Sequence, residues 1–393
     1  MNAHVSENAG RRLAWLALAT APGLSPRGCA ALLAAFGEPE AVLRASSRVL
    51  SAVTGVSAAA ADRLASGAWQ RDVEAAQARS TQLNVRIFTP DDADYPTRLR
   101  HLPDPPPALW RRGELEDDAA AIAVVGSRRP SSYGQAMAER IGRELSRAGF
   151  TVVSGLARGI DAGAHRAALE AGGRTVAVLG CGIDRAYPPE HRELQESIGR
   201  QGAVLSEFAP GTPPLPKHFP QRNRLISGLS LGVVVVEAGD RSGSLITARL
   251  ALEQGREVFA VPGNVGVGGS VGTNRLIKSG AMLVEGLEDI IEAVAAHLDR
   301  RSLRPPTANS RLASGDGELE GDTLRVQGGA APLESKLTAA EADLLEHLAR
   351  EPRHMDELAA LSGRPIQQVA ALLVVLEIKG GVRQLPGNYY RTA

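Results

Sequence analysis

The chain has 393 residues, of which 44% are hydrophobic and 22% are charged, and its formal net charge is zero. This length exceeds what one ordinary core accommodates, so two or three domains are expected, and the composition excludes an intrinsically disordered chain. A chain without net charge cannot coat nucleic acid through its overall charge. Any nucleic-acid site must therefore be a local cluster of cations, whose affinity falls as salt is added.

The cysteines and the apolar runs exclude further classes of protein. Cys29 and Cys181 are too few for a disulfide framework or a metal quartet, and the motifs HExxH and CxxC do not occur. We therefore expect free buried thiols, no metal site and no cofactor. No apolar run approaches about 18 residues, so no membrane span is expected. The apolar residues 13–21 resemble a short signal peptide, but Pro22 and Gly23 favour the end of a helix in a folded domain.

An N-terminal helical domain is predicted over residues 1–88. The turn PGLS at residues 22–25 precedes ALLAAFG, and the similar turn TGVS at residues 54–57 precedes AAADRLAS. This repeated order of helix, glycine-containing turn and helix resembles a pair of helix-hairpin-helix motifs, whose turns expose backbone N–H groups to a phosphate. A small packing domain without DNA contacts fits the pattern as well, since Arg27 and Arg63 are isolated cations.

A proline-rich connector and then a Rossmann-like domain are predicted next. Residues 89–120 form the connector, because prolines at 103, 105, 106 and 107 disfavour both helix and central strand. Over residues 121–298, short apolar strands alternate with helical segments, which requires parallel strands joined by right-handed crossovers. The fold class is therefore α/β, with a doubly wound and mostly parallel sheet. The predicted strands are residues 121–126, 151–156, 175–180, 203–208, 233–238 and 257–263, and the clearest helices are 135–147, 160–171 and 245–254.

The C-terminal part is predicted to contain a linker and a winged helix. Residues 299–336 are polar and lack apolar periodicity, as in a flexible linker. Residues 337–393 contain helical patterns at 339–348, 355–362 and 366–378 followed by a hairpin, which is the order of a winged helix. This segment has six Lys/Arg and seven Asp/Glu residues, and its predicted recognition helix is nearly uncharged. We therefore expect it to contact protein rather than duplex DNA.

Glycine-rich loops follow four of the predicted strands. They are GSRRPSSYG after the first strand, GLARGID after the second, GCG after the third and RSGS after the fifth. In an open α/β sheet, ligands bind at the carboxyl ends of the strands, where glycines let a phosphate approach the backbone and helix N-termini offer free N–H groups. These loops together predict a site for a polyanion.

The densest cluster of cations is KHFPQRNR at residues 217–224, shortly before the apolar strand. A lysine and two arginines beside a phenylalanine suit a ligand that has both phosphates and flat bases, as single-stranded nucleic acid does. The alternative interpretation is a helix start that carries arginines, with Phe219 as a core anchor. No base-reading pattern is evident, so binding is expected to be largely independent of sequence.

Enzyme motifs are weak in this sequence. The motif GxxxxGK[ST] is absent, and GLSLG at residues 228–232 has its strand after the serine, whereas a nucleophile elbow has it before. Asp161 and His165 lie one turn apart on a predicted helix, a spacing that allows an acid/base pair. We favour a structural role for both, in which the aspartate caps the helix and the histidine is a satisfied buried imidazole.

Six blocks, in this order, resemble the DNA-processing protein A family, also called DprA or Smf: GSRRPSSYG, SGLARGIDAGAHRAAL, VLGCGIDRAYPPEH, FPQRNRLISGLS, VVVVEAGDRSGSLITARLALEQGREVFAVPG and TNRLIKSGA. The resemblance covers residues 95–290 closely and the two flanking domains more loosely. It implies a cytoplasmic bacterial protein that protects incoming single-stranded DNA during natural transformation and loads RecA onto it for recombination. It also implies a homodimer formed through the Rossmann-like domain. The positions implied as DNA contacts are Ser127, Arg128, Lys217, Phe219, Arg222, Asn223, Arg224, Ser242, Gly243, Ser244 and Lys278.

Two other functions are considered. The Rossmann-like domain also resembles nucleotide phosphoribohydrolases, whose PGGxGTxxE signature follows a comparable strand. The corresponding segment here, EAGDRSGSLITA, has Ser-Gly-Ser in place of the glycine-rich turn, and Thr247 and Ala248 stand where the acidic pair begins. We therefore expect a phosphate pocket without enzymatic activity. The third hypothesis is an adaptor that binds RecA-like partners without touching DNA, which the arginine-rich loops disfavour.

Overall fold

The computed structural model describes residues 2–116, 120–298, 338–348, 352–379, 381–385 and 389–392. These residues form two compact units. The first contains the described residues up to Asp289 together with His297 and Leu298, and the second contains Ile290–Ala296 and the described residues from Thr338 onward. The linker predicted over residues 299–336 lies outside the described residues. Within the described ranges, no helix is long and apolar enough to cross a membrane.

The N-terminal part of the first unit is helical, as predicted. Its helices are α1 Asn2–Thr20, α2 Pro26–Phe36, α3 Pro39–Arg44, α4 Ser47–Ser51, α5 Ala58–Ala65 and α6 Trp69–Gln82. Ser25 caps α2 by accepting a hydrogen bond from the N–H of Gly28, and Ser57 caps α5 by accepting one from Ala60. Serine is favoured at both places because its hydroxyl satisfies an N–H group that the helix itself leaves free.

The two predicted glycine turns pack against each other. Gly23 and Gly55 have φ angles of +80° and +86°, which favour glycine. A Cβ added to Gly28 would lie 2.5 Å from the carbonyl oxygen of Gly55, so this approach also requires a glycine. The second turn is therefore covered by the start of α2.

A nine-stranded sheet forms the centre of the first unit. Its strands are β1 Arg86–Phe88, β2 Leu109–Gly113, β3 Ala121–Val125, β4 Thr151–Ser154, β5 Thr175–Leu179, β6 Ala203–Ser206, β7 Gly232–Val235, β8 Glu257–Ala260 and β9 Met282–Leu283. Their order is β1-β2-β6-β5-β4-β3-β7-β8-β9, parallel from β6 to β9 and antiparallel where β1 and β2 join. The chain builds outward from β3 to β6 and then returns to place β7 on the other side of β3. The topology therefore reverses between β3 and β7.

Helices connect the parallel strands and cover the sheet, which confirms the predicted doubly wound fold. In chain order, α7 Thr97–Arg100 lies between β1 and β2, and α14 Leu287–Val294 follows β9. The helices between parallel strands are α8 Ser132–Arg147, α9 Ile160–Glu170, α10 Arg192–Gln201, α11 His218–Gly228, α12 Gly243–Glu253 and α13 Val271–Lys278. Every residue of β3, β4, β5, β6 and β7 is buried, as expected for a parallel sheet covered on both faces. All six predicted strands are present and end one to three residues early, because their last predicted residues belong to the loops that follow.

The predicted connector is more structured than expected. It contains α7 and β2, and β2 pairs with β6 so that Trp110 lies opposite Ser206. The four prolines precede β2 and therefore do not interrupt its hydrogen bonding. The side chain of Trp110 in β2 is fully buried. Since β1 pairs in turn with β2, the sheet extends across the predicted boundaries at residues 88 and 120.

The N-terminal helices share one hydrophobic core with the sheet. A single cluster joins Trp15 and Leu32 of the helices to Trp110 and Val204 of the strands. The indole N–H of Trp110 also donates to the Ser80 hydroxyl at 3.1 Å. Helices and sheet are therefore held as one unit, with a fixed junction between them.

The second unit has the order of elements predicted for a winged helix. Its elements are α15 Ala339–Leu348, β10 Arg353–His354, α16 Met355–Ser362, α17 Ile366–Ile378, β11 Val382–Leu385 and β12 Tyr389–Thr392. The three helices have the predicted bounds, and β10 is an addition that pairs with β12. Leu344, Leu358 and Leu373 form its core with Tyr390. The hairpin turn at residues 386–388 lies outside the described residues.

Candidate nucleic-acid interface

A cleft of about 660 Å³ lies at the carboxyl ends of β3 and β7, where the topology reverses. Open α/β sheets bind ligands at such points, because the loops on the two sides diverge there. We call it the main cleft. Loops after β3, β4, β5 and β7 line it together with one face of α11. Eight of the predicted DNA contacts lie in its walls: Ser127, Arg128, Phe219, Arg222, Asn223, Ser242, Gly243 and Ser244.

The end of β7 holds the loop after β3 in place. The N–H of Ser127 donates to the carbonyl oxygen of Glu237 at 2.8 Å, and the buried Glu237 carboxylate accepts from the N–H of Ser131 at 3.0 Å. Gly159 packs on the other side of this loop, where a Cβ would lie 2.4 Å from the Ser127 carbonyl oxygen. The backbone is thus fixed, while the Arg128 side chain is exposed and has no ion-pair partner among the described residues.

Two aromatic rings and a guanidinium group form one wall of the main cleft. The Arg128 guanidinium carbon lies 5.5 Å from the centre of the Phe219 ring, and the centres of the Phe219 and Tyr187 rings lie 5.2 Å apart. Tyr187, which is 37% exposed, was not among the predicted contacts. The available signal was its position in the loop after β5, at the same edge of the sheet as the other loops. A cation beside aromatic surface suits the phosphate and base of an unpaired nucleotide.

The start of α12 forms a second wall of the main cleft. Ser242 caps the helix, and its hydroxyl lies 2.8 Å from that of Ser244. Arg241, exposed beside them, also lines the cleft. The free N–H groups and the partial positive charge of a helix start favour an anion. Both walls of the cleft therefore present positive charge.

Arg222 lies beneath the main cleft rather than on its surface. It is 4% exposed, and its guanidinium donates to the carbonyl oxygen of Gly155 at 2.8 Å and to that of Val178. Burial lowers the pKa of Arg222 to about 10, against the effect of the nearby Asp161 carboxylate, so the group is charged at neutral pH. Arg222 thus ties the loop after β4 to β5 and adds positive charge below the cleft.

Arg224 lies outside the main cleft, which corrects its predicted position. It is 5% exposed, and its guanidinium lies 2.5 Å from the Glu207 carboxylate and 3.5 Å from that of Asp104. Residues two apart on a helix point in directions about 200° apart, so Arg224 points away from the main cleft that Arg222 lies beneath. The positive charge of Arg224 is therefore paired with the carboxylates of Glu207 and Asp104 inside the fold.

The two predicted lysines also lie elsewhere. Lys217 is exposed at the start of α11 but lines a second cleft on the other side of that helix. Lys278 is exposed at the end of α13, beside a hollow lined by Val265 and Val271. Their roles as DNA contacts remain predictions, at positions separate from the main cleft.

Asp161 and His165 both have structural roles, but the roles differ from the predicted ones: Asp161 does not cap α9, and Nε2 of His165 has no hydrogen-bond partner among the described residues. Asp161 accepts hydrogen bonds from the N–H groups of Gly155 and Ala157 at 3.1 and 3.3 Å. His165 is fully buried, with Nδ1 at 2.6 Å from the Thr175 hydroxyl oxygen. The Thr175 hydroxyl itself donates to a backbone carbonyl, so the histidine is the donor. Burial lowers the pKa of His165 to about 3, and the imidazole is therefore neutral.

We expect the protein to lose stability as the pH falls below the ordinary histidine pKa of 6.5. The unfolded chain then protonates His165, whereas the folded state does not do so until about pH 3. Within this pH window, one such histidine lowers the free energy of unfolding by roughly 1.4 kcal/mol for each pH unit. The measurement is the free energy of unfolding in urea between pH 7 and pH 5, for the unaltered protein and for His165→Gln. The variant is expected to depend less on pH; parallel curves for the two proteins would contradict the assignment.

The fold and the main cleft together define a Rossmann-like protein with a cation-lined cleft at its topological switch point. The family model described as DNA recombination-mediator protein A matches residues 86–295, and that of the DprA winged helix domain matches residues 328–388. The chain is 40% identical over 324 residues to Protein Smf of Escherichia coli strain K12, covering 82% of this chain and 81% of that protein. It is 47% identical over 201 residues to DNA processing protein DprA of Streptococcus pneumoniae strain R6, covering 51% and 71% respectively.

A solved structure agrees with these matches. The X-ray structure of DNA processing protein A from Streptococcus pneumoniae aligns with a TM-score of 0.60 at 36% identity, covering 72% of this chain and 96% of that chain. The chain therefore belongs to the DNA processing protein A family, also called DprA or Smf. This confirms the resemblance seen in the sequence, and the matching domain model confirms the winged helix.

Proposed function

We propose that the protein binds single-stranded DNA in the main cleft, largely independently of base sequence. The observation that carries this proposal is the exposed Arg128 guanidinium beside the Phe219 and Tyr187 rings, in a cleft that the start of α12 also lines. Cations and helix N–H groups bind phosphates, and aromatic rings stack on the faces of unpaired bases. In a duplex, neighbouring base pairs cover those faces. Every base has such a face, so these contacts do not select a sequence.

We propose further that binding serves recombination during natural transformation, in which the protein protects incoming DNA and loads RecA onto it in the cytoplasm. Membership of the family described as DNA recombination-mediator protein A supports this role. RecA is accordingly the proposed protein partner. The neutral net charge is consistent with a local DNA site that leaves other surfaces free for such a partner.

We propose a homodimer formed through the Rossmann-like domain. An exposed apolar surface near the edge strand β9 supports it: Val265 is 96% exposed, Met282 is 39% exposed and Leu283 is 44% exposed. Apolar surface of this kind often marks an interface between proteins. Two main clefts in one assembly would bind a long strand more tightly than one cleft does.

We propose that the winged helix contacts protein rather than duplex DNA. The predicted recognition helix α17 has Glu377 as its charged residue, and Ile366 at its start is 41% exposed. Leu361, at the end of α16, is 47% exposed. Aliphatic surface with little positive charge suits a protein better than a phosphate backbone.

We propose that the protein is not an enzyme. Thr247, which stands where the phosphoribohydrolase signature begins its acidic pair, is buried and lines the main cleft. Cleavage of a glycosidic bond would require a carboxylate available for proton transfer. Asp161 is the carboxylate among the described residues that line the cleft, and it is engaged by two backbone N–H groups beside Arg222.

The test is fluorescence anisotropy of labelled single-stranded and double-stranded oligonucleotides over a salt series. The proteins compared are the unaltered chain, Arg128→Ala and the control Arg249→Ala, whose exposed side chain pairs with Glu253 on α12. We expect the unaltered protein and the control to prefer the single strand, with affinity falling as salt rises, and Arg128→Ala to bind more weakly. Equal binding by Arg128→Ala would move the site elsewhere. No binding by the unaltered protein, with release of free base from nucleoside monophosphates, would favour the hydrolase.

A further inference from the structure

We infer that the second cleft, across α11 from the main cleft, takes a further nucleotide of the same single strand, with a base that carries an exocyclic amino group. This inference rests on the proposed function. The second cleft has a volume of about 290 Å³ and lies at the junction of the N-terminal helices and the sheet. The PGLS turn before α2 forms one wall, and the residues after β6 form the other, with Lys217 and Gln221 at the α11 side.

Helix α11 forms the ridge between the two clefts. Phe219 and Asn223 line the main cleft, whereas Lys217 and Gln221 line the second. Successive side chains of a helix point about 100° apart, so positions close in sequence reach both sides of the ridge. A strand with one base on Phe219 therefore has only the first turn of α11 to cross before it reaches Lys217.

The charges at the second cleft permit a phosphate at its rim. Lys217 is exposed and has no ion-pair partner among the described residues. The start of α2 opens at the same rim and adds the partial positive charge of a helix N-terminus. Glu207, the carboxylate in the wall, is compensated by Arg224 at 2.5 Å. The net charge that faces the rim is therefore positive.

The interior of the second cleft suits a base that donates a hydrogen bond. Glu207 is 7% exposed; one of its oxygens accepts from Arg224, the Gln221 side chain also interacts with the carboxylate, and Oε1 has no hydrogen-bond partner within 3.5 Å among the described residues. A buried acceptor of this kind gains free energy when a ligand supplies a donor. Phe208, stacked on His218 with ring centres 4.2 Å apart, provides apolar surface beside it.

The chemistry of Glu207 distinguishes between the bases. A carboxylate accepts well from the amino group of cytosine or adenine. Thymine has no such group, and its ring N–H lies between two carbonyl oxygens, which a carboxylate repels. We therefore expect a modest preference for cytosine or adenine over thymine at one position of the strand. Binding at the other positions is expected to be independent of sequence.

The test compares oligo(dC) with oligo(dT) of equal length by fluorescence anisotropy at neutral pH. The variants are Gln221→Trp, whose larger side chain fills the second cleft, and the control Ala136→Trp, which is exposed on α8 and lines neither cleft. We expect the unaltered protein and the control to bind oligo(dC) about two- to tenfold more tightly than oligo(dT), the contribution of one net hydrogen bond. Gln221→Trp is expected to bind both strands equally, close to the affinity of the unaltered protein for oligo(dT).

The outcomes separate this inference from the proposed function. Equal affinities of the unaltered protein for oligo(dC) and oligo(dT) would overturn the inference about the second cleft, although both strands would still bind in the main cleft. A preference for oligo(dC) that persists in folded Gln221→Trp would overturn it as well. Failure of the unaltered protein to bind either strand would overturn the proposed function and this inference with it. The first comparison uses only the unaltered protein, so it does not depend on whether a variant folds.

Discussion

Arg224→Met is expected to lower the free energy of unfolding by about 3–5 kcal/mol, the usual loss when one member of a buried ion pair is removed. The Arg224 and Glu207 side chains are 6% and 4% exposed, and Asp104 approaches the same guanidinium. Methionine retains much of the volume but leaves the Glu207 carboxylate without its cation. Urea unfolding followed by circular dichroism measures the loss. The matched control is Arg128→Met, where the side chain is exposed and a change within about 0.5 kcal/mol is expected.

This loss is expected to be smaller at pH 5 than at pH 8. Burial raises the pKa of Glu207, and removal of Arg224, whose charge lowers that pKa, raises it further. Between the unfolded pKa and the raised folded pKa the folded state binds the additional proton, so stability falls as the pH rises. The double variant Glu207→Gln/Arg224→Met, which has no uncompensated Glu207 charge, is expected to regain part of the loss. A loss that does not change with pH, in a double variant no more stable than Arg224→Met, would show that the ion pair is not the cause.

Phe219→Ala is expected to weaken binding of single-stranded DNA by about 1–3 kcal/mol, or roughly 5- to 150-fold, through the loss of stacking on one base. The salt dependence is expected to stay unchanged, because no phosphate contact is removed. Fluorescence anisotropy over a salt series measures both quantities. Phe219 is half-buried and packs against Gly180, so the urea midpoint of the variant is measured alongside.

Arg128→Ala provides the matched comparison at the neighbouring side chain. Loss of one phosphate contact on a single strand is expected to reduce the slope of log affinity against log salt by about 0.7. Comparing the two variants separates the contribution of base stacking by Phe219 from that of phosphate binding by Arg128, although the two side chains are in contact. If Phe219→Ala reduced the slope as much as Arg128→Ala does, the ring would be acting through the position of the arginine rather than on a base.

Local patterns made much of the fold predictable. The strands β3, β5 and β7 are short apolar runs bounded by glycine. A strand that is buried on both faces of a sheet has apolar residues at nearly every position, so a continuous apolar run predicts it directly. The three helices of the winged helix were predicted with their observed bounds, because each has its own apolar periodicity. The edge strands β1 and β9, and β2 beside β1, were not predicted, since β1 and β9 have only three and two residues and β2 follows a run of prolines.

The candidate site was predictable in part. The loops after β3 and β7 meet because carboxyl ends of parallel strands lie at one edge, so Ser127 and Ser242 could be placed together from the sequence. Tyr187 could not be paired with Phe219, since the two are far apart in the chain and meet only through the fold. The PGLS turn likewise faces Lys217 only because the N-terminal helices and the sheet share a core.

The sequence by itself determined the order of the main elements, the family and the region of the proposed DNA site, because hydrophobic period, turn residues and motif order are properties of the chain. Only the tertiary structure decided what each cation does. Arg128 is exposed beside Phe219, Arg222 is buried under the main cleft, Arg224 is paired with Glu207, and Lys217 faces the second cleft. The physical reason is that neighbouring residues of a helix point in different directions and so reach different surroundings. Because the interaction between charges falls with distance, the role of each cation depends on the groups beside it.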